Sequence, residues 1–206
     1  RDVRMGQWGF SNQVAHHVPW MYLYTGQPWR TQEIVRETLA RMYLGSEIGQ
    51  GYPGDEDNGE SSAWWLLSAM GFYPLQMGSE NLAIGSPLFT RATLHLDGGK
   101  TLVISAPQNS AKNVYVAGVT VNGKPWNRTV IPHQVLAAGG HIEFQMSDKP
   151  AKWGSDEAAL PTSLTSGDAH PAALADLTGS GRRACSAQAG NRCAAVLFDD
   201  NSRTEA

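Results

Sequence analysis

Gly54-Asp55-Glu56-Asp57-Asn58-Gly59-Glu60-Ser61-Ser62-Ala63-Trp64-Trp65-Leu66-Leu67-Ser68-Ala69-Met70-Gly71-Phe72-Tyr73-Pro74 marks where this chain changes from helical to extended patterning. A glycine-flanked acidic loop runs directly into an apolar, Trp-rich segment that stops at Gly71. The spacing predicts a helix from just after Gly59 to Gly71. That helix is apolar on nearly every side, which predicts burial on more than one face, as in the inner ring of a large helical assembly. Beyond Pro74 the hydrophobic period changes to two. Helices first and strands after give an expected α+β fold class.

Upstream, Ile34, Val35, Thr38, Leu39, Met42 and Tyr43 recur at helical spacing, so a helix is predicted over 30–43, with Thr31 as N-cap and Gly45 as its stop. An earlier helix is predicted over 14–24, with Pro19 either kinking it or marking its first turn, and Gly26-Gln27-Pro28 separating the two. Three helices cannot enclose the Trp-rich one, and the amino end carries neither an initiator methionine nor the apolar core of a signal peptide. The chain is therefore expected to be a piece of a longer protein.

Downstream, strands are predicted at 92–96 and 101–105, joined by Asp97-Gly98-Gly99, then at 119–121 running into an Asn122-Gly123 turn, and near 130–135 and 142–146. An antiparallel sheet or sandwich is the expected arrangement. From Ser155 onward Ala, Ser, Gly, Thr and Pro dominate, as in a linker. The expected division is a helical region over 1–75, a β-rich domain over 76–154, a linker over 155–184, and the truncated start of an accessory module over 185–206.

A net charge of -3 without any basic run excludes an electrostatic footprint for nucleic acid or an anionic membrane surface, and no apolar run is long enough to insert in a membrane. Cys185 and Cys193 could close one small disulfide in an exported protein or remain free thiols.

Asp55, Glu56, Asp57 and Glu60 place four carboxylates in six positions with no Lys or Arg among them, so a cation, a shared proton or a polar ligand is the natural compensation. The competing reading is an exposed acidic turn that caps the following helix, with Asp57 or Asn58 as N-cap and Glu60 in the first turn. An EF-hand is disfavoured, because its glycine falls one position early and no closing Glu follows. His16 and His17 would diverge on a helix, so one metal would not take both; a neutral His donating to a sugar hydroxyl suits the pair better, although a core position is the commonest fate of any single His. Trp8, Trp20, Trp29, Trp64, Trp65 and several tyrosines make this region aromatic enough to stack on sugars or to fill a large core. Paired carboxylates, aromatics and amide-rich loops together point to carbohydrate chemistry. In an inverting glycosidase the acid and base stand roughly 6.5 to 9.5 Å apart. Asp55 and Asp57 are too close in sequence to fill both roles, so they would act together at the water with the acid elsewhere.

Asn12-Gln13 with His16-His17-Val18-Pro19-Trp20-Met21-Tyr22, Gly26-Gln27-Pro28-Trp29-Arg30-Thr31-Gln32, the acidic loop with Ser62-Ala63-Trp64, and Gly71-Phe72-Tyr73-Pro74 closely resemble the carboxyl-terminal part of glycoside hydrolase family 92. Ile84-Gly85-Ser86-Pro87-Leu88-Phe89, Asn122-Gly123-Lys124, Ile131-Pro132-His133 and Lys152-Trp153-Gly154 extend the resemblance over roughly residues 6 to 154. It implies a secreted, calcium-dependent exo-alpha-mannosidase that inverts configuration at terminal mannose of glycans. The implied fold is an arc of an (α/α)6 toroid followed by the β-rich domain. Asp57 is implied as the general base with Asp55 its helper, Asn12 and Asp57 as calcium ligands, and Asn12, Gln13, His16 and His17 as sugar contacts or their supports. The family's general acid is a Glu in a Trp-containing motif with no equivalent in this chain, so the resemblance implies that the upstream half of the polypeptide supplies it and that this chain alone is inactive.

Two other classes remain open on the sequence. Another helical-toroid glycosidase or phosphorylase would differ in product anomer or phosphate dependence, and a calcium-dependent carbohydrate-binding module would be seated in the β-rich region.

Overall fold

A computed structural model describes residues 4–43, 51–54 and 56–163, all within one compact unit. Short strands β1 (Arg4–Met5) and β2 (Trp8–Gly9) pair antiparallel ahead of two 3-10 segments, Gln13–Ala15 and Val18–Thr25. The 3-10 form replaces the helix expected over 14–24. Its bonds close three residues back, from Trp20 N to His17 O and from Gly26 N to Leu23 O. Pro19 lies in the first turn, where its missing N–H costs nothing, and Gly26 in the left-handed region ends the segment.

Helix α1 spans Pro28–Arg41 and α2 spans Glu60–Met70. Thr31 is not the N-cap of α1. Pro28 starts that helix, and Thr31 is buried inside it with its hydroxyl donating to Pro19 O at 2.8 Å. Gly45 lies outside the described residues. On α2 the buried residues are Ser61, Trp64, Ser68 and Ala69, a single stripe, whereas Leu66 is 51% exposed. Trp64 packs with Phe10, Trp20, Leu23, Val35 and Leu39 in one apolar cluster.

The strands follow as β3 (Phe72–Tyr73), β4 (Asn81–Ile84), β5 (Arg91–His95), β6 (Thr101–Ser105), β7 (Tyr115–Val121), β8 (Lys124–Pro125) and β9 (Val130–Pro132), then helix α3 (His133–Ala137) and β10 (Gly140–Ser147). They form a three-stranded sheet, β3-β4-β9, and a five-stranded sheet, β5-β6-β10-β7-β8. The expected purely antiparallel sheet is corrected here. Strand β10 inserts between β6 and β7, running parallel to β6 and antiparallel to β7. The strand expected to reach 135 ends at Pro132, and residues 133–137 turn helical so that the adjacent pair Val135 and Leu136 pack on the sheet core.

Leu102 and Ile104 of β6, Ile142, Phe144 and Met146 of β10, and Val116 and Val119 of β7 fill one face of the larger sheet. Val116 and Val119 share that face despite odd spacing because a bulge shifts the β7–β10 register between Gln145 and Met146. Two buried polar side chains dock α1 on this region. Gln32 Oε1 accepts from Val116 N at 3.0 Å, and the Arg36 guanidinium donates to Pro87 O and Asn109 Oδ1, each at 2.6 Å. Beyond the sheet, Trp153 donates to Trp126 O, and Thr129 bonds Ala159 O through both its hydroxyl and its N–H, so residues 153–159 pack against the β-rich part.

Candidate active site

The acidic loop docks on the turn that precedes the first 3-10 segment. Gly54 has φ +77 and lies so close to Ser11 that a Cβ there would fall 2.4 Å from Ser11 O. Only glycine satisfies both the conformation and the approach. Asp57, Asn58 and Gly59 then take three consecutive left-handed conformations, with φ of 44, 63 and 93. This tight reversal turns the chain into α2. Neither Asp57 nor Asn58 is the N-cap; Gly59 holds that position and Glu60 opens the helix. Asp55 lies outside the described residues, as do Cys185 and Cys193.

Two side chains from the 3-10 segment reach this reversal. Gln13 Nε2 donates to Asp57 Oδ2, and His16 Nδ1 stands 3.8 Å from Glu60 Oε1. Residues three apart eclipse on a 3-10 helix, so Gln13 and His16 share a face. Asp57 and Glu60 are likewise three apart across the start of α2. The result is one hydrogen bond, Gln13–Asp57, beside one close approach, His16–Glu60, between segments 44 residues apart in sequence. Beneath them Trp64 Nε1 donates to His16 O at 3.1 Å, and the His16 ring packs against both Phe10 and Trp64 at 4.8 and 5.9 Å.

The expected sugar contacts therefore separate. His16 is 2% exposed and packs beneath the loop, whereas His17 is exposed. Burial lowers the His16 pKa, against the opposing pull of Glu60 and a hydrogen bond to the Phe10 backbone, so the ring is neutral at pH 7. Asn12 and Asp57 are both exposed, and Gln13, partly buried, joins their two turns. Asn12 Oδ1 lies 3.5 Å from Val14 N, as the cap of the 3-10 segment. Burial, reinforced by the charge of Glu60, pushes the Tyr73 phenol up to about 12.

Amide and carboxylate oxygens at Asn12 and Asp57 are hard donors suited to calcium, and no thiol accompanies them. Among the described residues no three His, Cys, Asp or Glu gather as a metal cage. Asn12 and Asp57 would thus be a partial ligand set, completed by other oxygens. Sequence reasoning missed the Gln13–Asp57 bond and the His16–Glu60 approach, since neither has a local signal. It counted Glu56 among the loop carboxylates but missed its contact with α2, where Oε1 accepts from Ser62 N at 3.2 Å.

A family model for the glycosyl hydrolase family 92 catalytic domain matches residues 1–148. Among solved structures, a GH92 inverting mannosidase from Bacteroides thetaiotaomicron is 43% identical, with a TM-score of 0.70 over 77% of this chain and 21% of its own. A GH92 alpha-mannosidase of the same organism, solved in complex with mannoimidazole, is 31% identical, with a TM-score of 0.74 over 79% of this chain and 21% of its own. An uncharacterized secreted glycosidase of Arthroderma benhamiae is 27% identical over 162 residues, 76% of this chain and 20% of its own length. The chain spans about a fifth of the length of these relatives.

Proposed function

This chain belongs to glycosyl hydrolase family 92, and from that membership we propose that it supplies the general-base side of an inverting, calcium-dependent exo-alpha-mannosidase acting on terminal mannose of glycans. The observation that carries the reading is the Gln13–Asp57 bond, which holds an exposed carboxylate at the junction of the two turns that bear the oxygen donors. Asp57 accepts a proton from water as the water oxygen bonds to the anomeric carbon and the glycosidic C–O bond breaks. The leaving oxygen takes its proton from a carboxylic acid elsewhere in the polypeptide, and Asp57 returns its proton to solvent. Asp55 assists Asp57; Asn12, Gln13, His16 and His17 hold or support the sugar side.

Asn12 and Asp57 are the calcium ligands this chain contributes. The ion, when bound, supplies positive charge to the sugar hydroxyls. We further propose a secreted enzyme whose helices form an arc of an (α/α)6 toroid, with a helical region over 1–75 and the β-rich part from 76; the end of that part expected at 154 moves outward, because Ala159 is buried against Thr129. Support for the arc comes from Val14, Val18, Met21 and Tyr22, apolar side chains 37–76% exposed on the two 3-10 segments, which further helices would cover. Among the described residues no helix is long and apolar enough to cross a membrane.

The test is mannose release by the full-length polypeptide from terminal alpha-mannosides, followed by NMR. The β anomer should appear first, release should stop on chelation and return with calcium, and the chain of residues 1–206 alone should be inactive. Initial formation of the α anomer, or release indifferent to chelator, would contradict the reading.

A further inference from the structure

Resting on the assignment of Asp57 as base, we infer that Glu56 is a positioning residue for the reaction. The first turn of α2 presents N–H groups that no intrahelical carbonyl can satisfy, and its N-cap, Gly59, has no side chain to meet them. The loop meets them instead. Glu60 N donates to Asp57 O at 3.4 Å, Ser61 N to Glu56 O at 3.3 Å, and Ser62 N to Glu56 Oε1 at 3.2 Å, before Ala63 N starts the regular ladder on Gly59 O at 2.8 Å. Glu56 thus caps the helix twice, once with its backbone and once with its carboxylate, and its charge sits at the favourable end of the helix dipole.

The residues enclosed by that cap are Asp57, Asn58 and Gly59, all left-handed. A non-glycine residue in this region persists only where its surroundings fix it. Glu56 fixes the loop on the helix side and Gln13 fixes it on the other, so the direction of the Asp57 carboxylate is set by both. The second Glu56 oxygen, Oε2, is buried without a hydrogen-bond partner, whereas Asp57 is exposed. Its task is to orient Asp57; water and sugar are left to its neighbour.

The test compares Glu56→Ala, Glu56→Gln and Asp57→Asn in the full-length polypeptide. Loss of aim at the base costs up to about 10²-fold in rate. Glu56→Ala should therefore lower kcat by roughly 10- to 100-fold while KM and the acidic limb of the pH–rate profile stay in place. Glu56→Gln keeps a carbonyl oxygen for Ser62 N and should recover most of that loss. Glu56→Ala with a lowered Tm but wild-type kcat well below it would overturn the inference, leaving Glu56 a purely structural cap. Glu56→Gln as inactive as Glu56→Ala, with a shifted acidic limb, would overturn it by making Glu56 itself the acid or base. Asp57→Asn separates the two levels: full turnover there overturns the base assignment beneath the inference, whereas its loss beside a normal Glu56→Ala overturns the inference alone.

Discussion

The helical and β-rich parts of this chain are built to different standards of polar satisfaction. Of the seven buried side-chain polar atoms without a hydrogen-bond partner among the described residues, six belong to His16, Trp20, Gln32, Glu56, Ser61 and Ser68, all before the strands of the larger sheet; the seventh is Ser155 Oγ. Residues 76–154 contribute none. Leaving a buried polar group unpaired costs on the order of 1–3 kcal/mol, so such groups persist where something besides packing retains them. The β-rich part meets its buried polar needs with help from α1, through Gln32 on Val116 N and Arg36 on Pro87 O. In the helical part three of the unpaired groups, on His16, Glu56 and Ser61, lie at or beside the acidic loop.

That contrast can be broken most severely from the sheet side. Phe144 is fully buried at the centre of the sheet core, facing Phe72. Phe144→Ala should cost about 3–5 kcal/mol of stability in chemical denaturation. Turnover of the full-length polypeptide well below its unfolding temperature should stay within about twofold, since Phe144 touches none of the site residues. A selective kcat loss without destabilisation would dissolve the distinction between the regions.

From the helical side, Gln13→Leu removes the donor that ties Asp57 to the 3-10 segment. We expect kcat to fall about 10- to 100-fold, with the melting temperature shifting by only a few degrees. Unaltered kcat would show that the tie does not aim the base.

The smallest effect concerns pH. Burial lowers the His16 pKa from 6.5, so the unfolded chain takes up the proton first. The stability attached to neutral His16 is fully present above pH 6.5 and is lost as pH falls through the lowered folded value. Comparing unfolding free energies of the wild type and His16→Phe from about pH 7.5 down to about pH 5 should show the wild type losing ground. A difference that does not vary with pH would contradict a buried neutral imidazole.

What the sequence made legible was local. Helix α2, its start after Gly59 and its stop at Gly71 follow from spacing and glycine chemistry, and β5, β6 and the Asn122-Gly123 turn follow from alternation. Non-local pairing was not legible. The insertion of β10 between β6 and β7 joins residues whose neighbours in sequence give no sign of it, and the bulge at Gln145/Met146 hides the period of β7. The segment expected as a helix over 14–24 closes instead as two 3-10 pieces, Gln13–Ala15 and Val18–Thr25, and the first of them brings Gln13 and His16 toward Asp57 and Glu60. The charge of the loop could be seen in the residues; the side chains that hold it came from 44 positions away.

Asp57 is the residue on which the proposed base chemistry turns. In the full-length polypeptide, Asp57→Asn should lower kcat for terminal alpha-mannosides by about 10²- to 10⁴-fold, with Tm close to wild type because the side chain is exposed. Turnover undiminished by Asp57→Asn would contradict the account.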